Sequence, residues 1–359
     1  MKEYKLKIKI MRAFTFKGLF LTAVFILLGC LSIQAADDDL ITRQITIKLD
    51  KAGTLPDRIG SSKKYKITNL KLVGEINGTD WKMIREMAGR DYSGKDTEGK
   101  LSVLDLSEAK IVNGGDEYYD HGGCTSNDQM GFYAFYNCSR LTSLTLPAGI
   151  TSIGEFAFMN CSKLTSVVIP SGVTSIESET FAQCTGLTSI VIPSSVTSIG
   201  DGAFSNCDSL SDIIMTSGVT SIGNQVFEFC YDLASIIIPS SVTSIGKGTF
   251  KGCYNLTSLY SYRPDPVAVD SNVFLGIDAN KCTLYVPQGS FGNYYVTSGW
   301  DYFSKIVEFD PTGIDAVTTK SDAKEVSRYS VDGQKLDTPV KGLNIVKYND
   351  GSIKKVVVE

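Results

Sequence analysis

The sequence has very little histidine and few residues that could carry chemistry. His121 is the only histidine among 359 residues, so acid–base catalysis and imidazole metal ligation have a single side chain to draw on. Serine is abundant, but no nucleophile-elbow motif accompanies it. The composition therefore predicts a protein that is not an enzyme and that holds no metal ion or cofactor.

Basic residues are scarce beyond the start of the chain. Residues 1–35 hold six of the 35 Lys and Arg residues and one of the 39 Asp and Glu residues, so without them the net charge falls from −4 to −9. Binding to phosphate backbones needs concentrated Lys and Arg. We therefore expect no nucleic-acid partner.

Long apolar runs are absent except at the start. Basic residues between Lys2 and Lys17 precede the run Leu19–Leu28, which is too short for a transmembrane helix and is typical of a signal peptide. The predicted signal peptide spans residues 1–35. The pattern predicts export, either to the cell surface and outer membrane or by secretion.

Two processing sites compete within this signal. The residues that end at Cys30 resemble a lipobox, in which Cys30 would be lipidated and provide the only membrane anchor. Ile33-Gln34-Ala35 resembles an ordinary cleavage site, and cleavage there leaves a chain that begins at Ala36. The ordinary site is slightly favoured because Leu28 is bulky for a lipobox.

A 23-residue repeat dominates the middle of the chain. Phenylalanine, cysteine and leucine each recur once per unit. The phenylalanines are Phe135, Phe158, Phe181, Phe204, Phe227 and Phe250. The cysteines are Cys138, Cys161, Cys184, Cys207, Cys230 and Cys253, and the leucines are Leu141, Leu164, Leu187, Leu210, Leu233 and Leu256. Several columns locked to one period indicate stacked structural units.

Each unit predicts one strand and a return path. In one unit the alternation places Ile190 and Ile192 on a single face, Pro193 ends the strand, and Gly200 with Gly202 provides tight bends. A rung of this size buries too little apolar surface to offset the ordering of 23 residues. Stacking is therefore obligatory, and the expected product is a solenoid.

The repeated unit resembles the BspA-type leucine-rich repeat of bacterial surface proteins, over about Gly131 to Glu308. The resemblance implies a leucine-rich-repeat solenoid whose rungs combine a β-strand with coil or a short helical turn. It also implies an adhesion or host-interaction role without catalytic residues. The array and its aromatic closing cap are assigned to residues 126–309.

An irregular α/β cap is expected at residues 36–125. The segment Leu101–Ile111 fits the repeat pattern LxxLxLxxAxI, and Ile67–Leu72 fits an earlier rung. Between them the pattern predicts a helix from Thr79 to Ala88 with Thr79 as its N-cap.

The last region, residues 310–359, is predicted to be a linker and a small all-β tail. Its expected strands are Glu325–Val331, Leu343–Tyr348 and Ile353–Val358, separated by Xaa-Gly turns. The tail resembles the C-terminal sorting tails of type IX secretion substrates, although it is shorter than a full sorting domain. A structural β-cap is the alternative.

The cysteine column predicts a buried ladder of free thiols. Stacked positions lie about 4.8 Å apart, but identical positions point into the coil rather than toward each other. Cys124 and Cys282 lie off the column and are the better candidates for a disulfide. In the loop that contains Cys124, Asp116, Asp120 and His121, together with Glu117, would bind a cation only weakly, and a solvated insertion is the simpler interpretation.

The outward face of the strands is the predicted site of function. One column is mostly serine, with Asp212 among them, and the adjacent column begins at Thr145 and becomes apolar. A contiguous apolar patch indicates a partner site, whereas β-branched residues favour strands in any case, and the tail is a second candidate cover. The predicted partner-binding residues are Val168, Val191, Asp212, Ile214, Ile237 and Tyr260.

These patterns together predict an exported cell-surface or secreted binding or adhesion protein. Its expected partner is a protein or a glycan, with host extracellular matrix as one candidate. The alternative function is a spacer solenoid on the cell envelope without a specific ligand. The ligand itself is not encoded in the repeat, because identical rungs specify a scaffold.

Overall fold

The computed structural model describes residues 40–310, 324–330, 336–340, 342–348 and 353–358. The predicted signal peptide, the lipidation site Cys30 and the turns of the tail lie outside the described residues. The elements below belong to the unit that runs from Gln44 to Glu359.

The chain begins this unit with long strands and helices. They are β1 (Ile45–Leu49), α1 (Leu55–Ile59), β2 (Asn69–Ile76), α2 (Gly78–Met87), β3 (Val103–Ile111) and β4 (Gln129–Met130). The irregular α/β cap expected before the repeat is therefore present.

Two short strands follow in each of the first five rungs, and one strand follows in the sixth. The first strands of the rungs are β5 (Ser143–Thr145), β7 (Ser166–Val167), β9 (Ser189–Ile192), β11 (Asp212–Met215), β13 (Ser235–Ile238) and β15 (Ser258–Ser261). The second strands are β6 (Ser152–Ile153), β8 (Ser175–Ile176), β10 (Ser198–Ile199), β12 (Ser221–Ile222) and β14 (Ser244–Ile245). Hydrogen-bonded turns complete each rung.

The strands form parallel sheets along the sides of the coil. One sheet has the order β1-β2-β3-β5-β7-β9-β11, so the cap strands continue the sheet of the repeat. The second strands form a six-stranded sheet in the order β14-β12-β10-β8-β6-β4. Partners are offset by one repeat, as in Ile213 with Ile190. The structure confirms a solenoid of parallel strands with a 23-residue period.

The core of the array is built from the columns seen in the sequence. The phenylalanine rings are buried and stacked, for example 5.0 Å between Phe158 and Phe181 and 5.4 Å between Phe181 and Phe204. Each column thiol after the first donates to a phenylalanine carbonyl of the preceding rung, as Cys184 Sγ does to Phe158 O at 3.1 Å. The buried thiol ladder is therefore confirmed.

The turns of the rungs require left-handed backbone. Asn160, Gln183, Asn206 and Phe229 all have φ between 57° and 59°, which lets each N–H donate to the next rung, as Gln183 N does to Ser205 O at 2.8 Å. A positive φ of this kind costs an L-residue about 1–2 kcal/mol. The hydrogen bond to the next rung explains why the array maintains this conformation.

The two glycines of the bend are required for different reasons. Gly202 has φ 61°, which favours glycine. Gly200 has no such dihedral, but a Cβ there would lie 2.6 Å from Ser178 N of the preceding rung. Close approach between rungs therefore fixes this position.

Helix α2 starts earlier than the sequence pattern predicts. Its N-cap is Asn77 rather than Thr79. Asn77 Oδ1 accepts from Thr79 N at 3.1 Å, and Asp80 Oδ2 accepts from Asn77 N at 2.9 Å. Asp80 is buried and also accepts from Leu55 N at 2.9 Å, so a tertiary contact places the helix start two residues earlier. The prediction of Thr79 as the cap was wrong.

The array ends in β16 (Thr283–Pro287), α3 (Phe291–Val296), a 3₁₀ turn (Trp300–Tyr302) and β17 (Ile306–Phe309). With β13 and β15 these strands form a sheet in the order β13-β15-β16-β17. Buried Trp300 lies 5.2 Å from the Phe274 ring, and its indole N–H donates to Val267 O at 2.7 Å. A tryptophan therefore stands at the end of the phenylalanine stack.

The tail contains three antiparallel strands. They are β18 (Glu325–Ser330), β19 (Gly342–Tyr348) and β20 (Ile353–Val358), in the order β18-β19-β20. The predicted all-β tail is confirmed as a fold.

Candidate interaction surface

The outward column of the strand sheet runs through both caps as well as the array. Register pairs place Lys71 beside Asp105, Asp105 beside Thr145, Val191 beside Ile214 and Ile237 beside Tyr260. Because side chains alternate along a strand, these residues all face away from the core. We call this row of outward residues the strand face; from the first cap to the last it consists of Thr46, Lys71, Asp105, Thr145, Val168, Val191, Ile214, Ile237, Tyr260, Tyr285 and Val307.

The N-terminal end of the strand face is charged and internally paired. Lys71 Nζ lies 2.7 Å from Glu108 Oε1 and 3.3 Å from Asp105 Oδ2. The hydrogen bond to Glu108 raises the pKa of Lys71. The charges here already satisfy one another, so this end offers little to an ionic partner.

The middle of the strand face is apolar and less exposed than expected. Val168 is 36% exposed, whereas Val191 is 5% exposed and Ile214 is 4% exposed. Ile237, like Asp212, is half-buried. The expectation of one contiguous exposed patch was therefore wrong at Val191 and Ile214, whose outward side chains are covered. Their assignment to partner binding stays a prediction.

The C-terminal end of the strand face is aromatic. Tyr260 stacks on Tyr285 at 4.3 Å with an interplanar angle of 8°, and Phe309 meets Tyr260 edge-on at 5.9 Å. Sequence reasoning identified Tyr260 but missed Tyr285, because the last rungs are longer than 23 residues and shift the column. Tyr285 follows Tyr260 by 25 residues, two more than the period, so allowing for this insertion would have identified it.

A second group of exposed aromatic residues lies away from the strand face, at the turn that follows the thiol column. Tyr231 and Tyr254 are 39% and 57% exposed, and their rings stack at 5.8 Å. Leu275 is 49% exposed. The tyrosines each follow a column cysteine, so this turn presents apolar surface only in the last rungs.

The two off-column cysteines are not paired. Cys124 and Cys282 are both free thiols, the first exposed in the glycine-rich loop and the second buried beneath the C-terminal cap. Burial raises the pKa of Cys282 to about 12. These two residues were the better candidates for a disulfide, but no bond joins them, because each thiol lies in a different local environment.

The glycine-rich loop is anchored by a buried tyrosine. Its acidic residues Asp116, Glu117 and Asp120 are exposed with His121, whose Nδ1 lies 2.8 Å from Asp120 Oδ1. Buried Tyr118 donates to Phe132 O at 2.8 Å. Among the described residues, no group of three or more His, Cys, Asp or Glu side chains could hold a metal ion.

Comparison with known proteins identifies the repeat. Residues 128–257 match, in six copies, the family described as BspA type Leucine rich repeat region. No curated protein matches the sequence. The outward residues Val168 to Ile237 all lie in this matched segment, so the apolar part of the strand face falls within the stretch that is similar to this family.

Several solved structures are similar to the chain. A T. pallidum leucine-rich repeat protein is 38% identical over 36% of this chain and 60% of its own length, with a TM-score of 0.35. A leucine-rich cell surface protein from Faecalibacterium prausnitzii is 23% identical over 56% of this chain and 68% of that chain, with a TM-score of 0.35. The pneumococcal vaccine antigen PcpA is 16% identical over 68% and 80%, with a TM-score of 0.34.

Proposed function

We propose that the chain is an exported binding or adhesion protein that holds a protein or glycan partner on its strand face. The observation that carries the proposal is the change along one outward column, from paired charges at Lys71 to apolar residues at Val168 and to stacked rings at Tyr260. A scaffold alone needs no such change. Host extracellular matrix is one candidate partner.

The accessible contacts flank the covered centre. Val168 on one side, and Ile237 and Tyr260 on the other, remain at least partly exposed. Aromatic side chains such as Tyr260 are enriched at interface centres, and the apolar residues beside it add buried area. Neither catalysis nor a cofactor forms part of the proposal, and no nucleic-acid partner is expected.

The binding proposal is tested with the mature chain from Ala36 to Glu359. Purified protein is presented to immobilised host matrix proteins, to a glycan panel and to the surface fraction of the producing cell. A Val168→Lys variant should lose the captured partner, while the matched Leu275→Lys variant, away from the strand face, should keep it. If both variants bind as the parent does, the chain acts as a spacer and the proposal fails.

Export is supported by the basic and apolar segments of residues 1–35. In the parts of the chain that the structure describes, no helix has the length and apolarity needed to cross a bilayer. Mass spectrometry of the native N-terminus distinguishes a lipidated Cys30 from a free Ala36. The type IX sorting role of the tail is tested by whether a chain that ends at Asp310 still leaves the cell.

A further inference from the structure

The burial of Val191 and Ile214 is not explained by their own sheet. An outward residue of a single-layer sheet faces solvent unless another layer covers it. Val168 stands in the same column, also lies between two rungs, and is 36% exposed. Val191 and Ile214 are 5% and 4% exposed. All three residues stand in one outward column with a rung on either side, so the lower exposure of Val191 and Ile214 points to a separate part of the chain over β9 and β11.

The other described strands of this unit belong to the coil or to its two caps. The first cap extends the sheet by pairing β3 with β5, and the second extends it by pairing β16 with β15. The second strands and turns complete the coil around the phenylalanine core. The antiparallel sheet β18-β19-β20 is the described sheet that is not part of the coil.

That sheet has a buried face of its own. Val346 on the central strand is 0% exposed, and its cross-strand partner Arg328 is 7% exposed. Three strands form one layer, which cannot bury a valine completely without a second layer. Arg328 is paired with Glu325 through contacts of 2.6 and 2.8 Å, so the face brings no uncompensated charge into contact with an apolar surface.

The connection between the two regions is long enough. Strand β17 ends at Phe309 and β18 begins at Glu325, which leaves residues 310–324 between them. An extended chain of that length spans up to about 50 Å. The distance from β17 back to β9 is five strand spacings, or about 24 Å at ~4.8 Å each.

We propose that the β18-β19-β20 sheet packs on the strand face over Val191 and Ile214, with the side that carries Val346 against the solenoid. The intact chain thus covers the centre of its own interaction surface. The partner of this part of the surface is the C-terminal tail of the same molecule, and a ligand for Val191 and Ile214 has to displace it.

Site-specific thiol labelling in the full mature chain tests this contact without any ligand, so its outcome is independent of the binding proposal. Ile214→Cys is placed under the proposed cover and Val168→Cys outside it, and maleimide labelling of each site is followed by peptide mass spectrometry. Labelling at Ile214→Cys should be at least tenfold slower than at Val168→Cys. Equal rates would overturn the proposal.

Tail variants then identify the cover. Adding Val346→Asp should raise the labelling rate at Ile214→Cys to that of Val168→Cys, and Arg328→Ala should raise it in the same direction. The matched substitution Val340→Asp, at a tail valine that is 42% exposed, should leave the rate unchanged. The rate at Val168→Cys and the melting of the array serve as controls for folding. A slow rate at Ile214→Cys that neither variant raises would contradict the proposal.

Discussion

The interior of the coil and the outward column of its strands follow opposite rules. Two interior columns keep one residue type on every regular rung, namely the stacked phenylalanines and the buried thiols. Outward positions change from charged to apolar to aromatic along the array. A repeat can stack only if its interior is uniform, whereas its outer face is free to vary. Under the binding proposal, specificity for a partner therefore belongs to the variable column.

The largest expected effect comes from breaking the uniform interior. Phe181→Ala removes a fully buried ring that stacks on Phe158 and Phe204. Large-to-small substitutions of this kind cost about 3–5 kcal/mol. Phe132→Ala, at a ring that is 52% exposed, is the control and should change little. Urea unfolding measures both, and similar losses for the two variants would contradict the account of the core.

Adding a methyl group at Gly200 tests the spacing between rungs. Gly200→Ala should cost about 1–3 kcal/mol because its Cβ would lie 2.6 Å from Ser178 N. Gly149→Ala is the matched control, since a Cβ added there would have no heavy atom outside its chain neighbours within 4 Å. Thermal unfolding should separate the two variants. A Gly200→Ala protein as stable as Gly149→Ala would show that the rungs do not approach so closely.

The thiol ladder makes stability fall at alkaline pH. Burial raises the pKa of Cys184 to about 12 from an ordinary value of 9.0. The native thiol stays protonated while the unfolded thiol ionises, so its contribution is present below pH 9 and declines as the pH rises toward 12, by about 1.4 kcal/mol per pH unit. Cys184→Ala should reduce the slope of unfolding free energy against pH in this window. An unchanged slope would show that Cys184 ionises equally in both states.

The smallest effect concerns the left-handed turn. Gln183 has φ 59°, and glycine has no steric penalty there, so Gln183→Gly should stabilise the array by about 0.5–1 kcal/mol. Lys163→Gly, at an exposed turn residue without positive φ, should destabilise it slightly. Chemical denaturation of the two variants checks the opposite signs.

The sequence was sufficient to predict the scaffold because the interior is periodic. The solenoid, both caps and the antiparallel tail follow from columns and turn residues that a single chain displays. The start of α2 did not follow, because Asp80 reaches across to Leu55 N and this contact is not local. The local pattern alone favours Thr79 as the N-cap.

The exposure of the strand face could not be predicted in the same way. Alternation along a strand gives the side on which Val191 and Ile214 lie, but it gives no information about a second layer. Tyr285 was missed because the insertion in the last rungs breaks the period. The predicted column does lie on the outward side of the strands, but its two central residues are buried, and its role in partner binding stays a prediction.

The central claim, that the variable outward column binds a partner, is tested most directly by two matched tyrosines. Tyr260 lies on the strand face, and Tyr254 lies at the exposed turn of the same rung. Affinity for the partner captured by the mature chain is measured for Tyr260→Ala and Tyr254→Ala. The account predicts at least a tenfold loss for Tyr260→Ala and no change for Tyr254→Ala, as expected for an aromatic interface contact. Equal affinities for the two variants would contradict it.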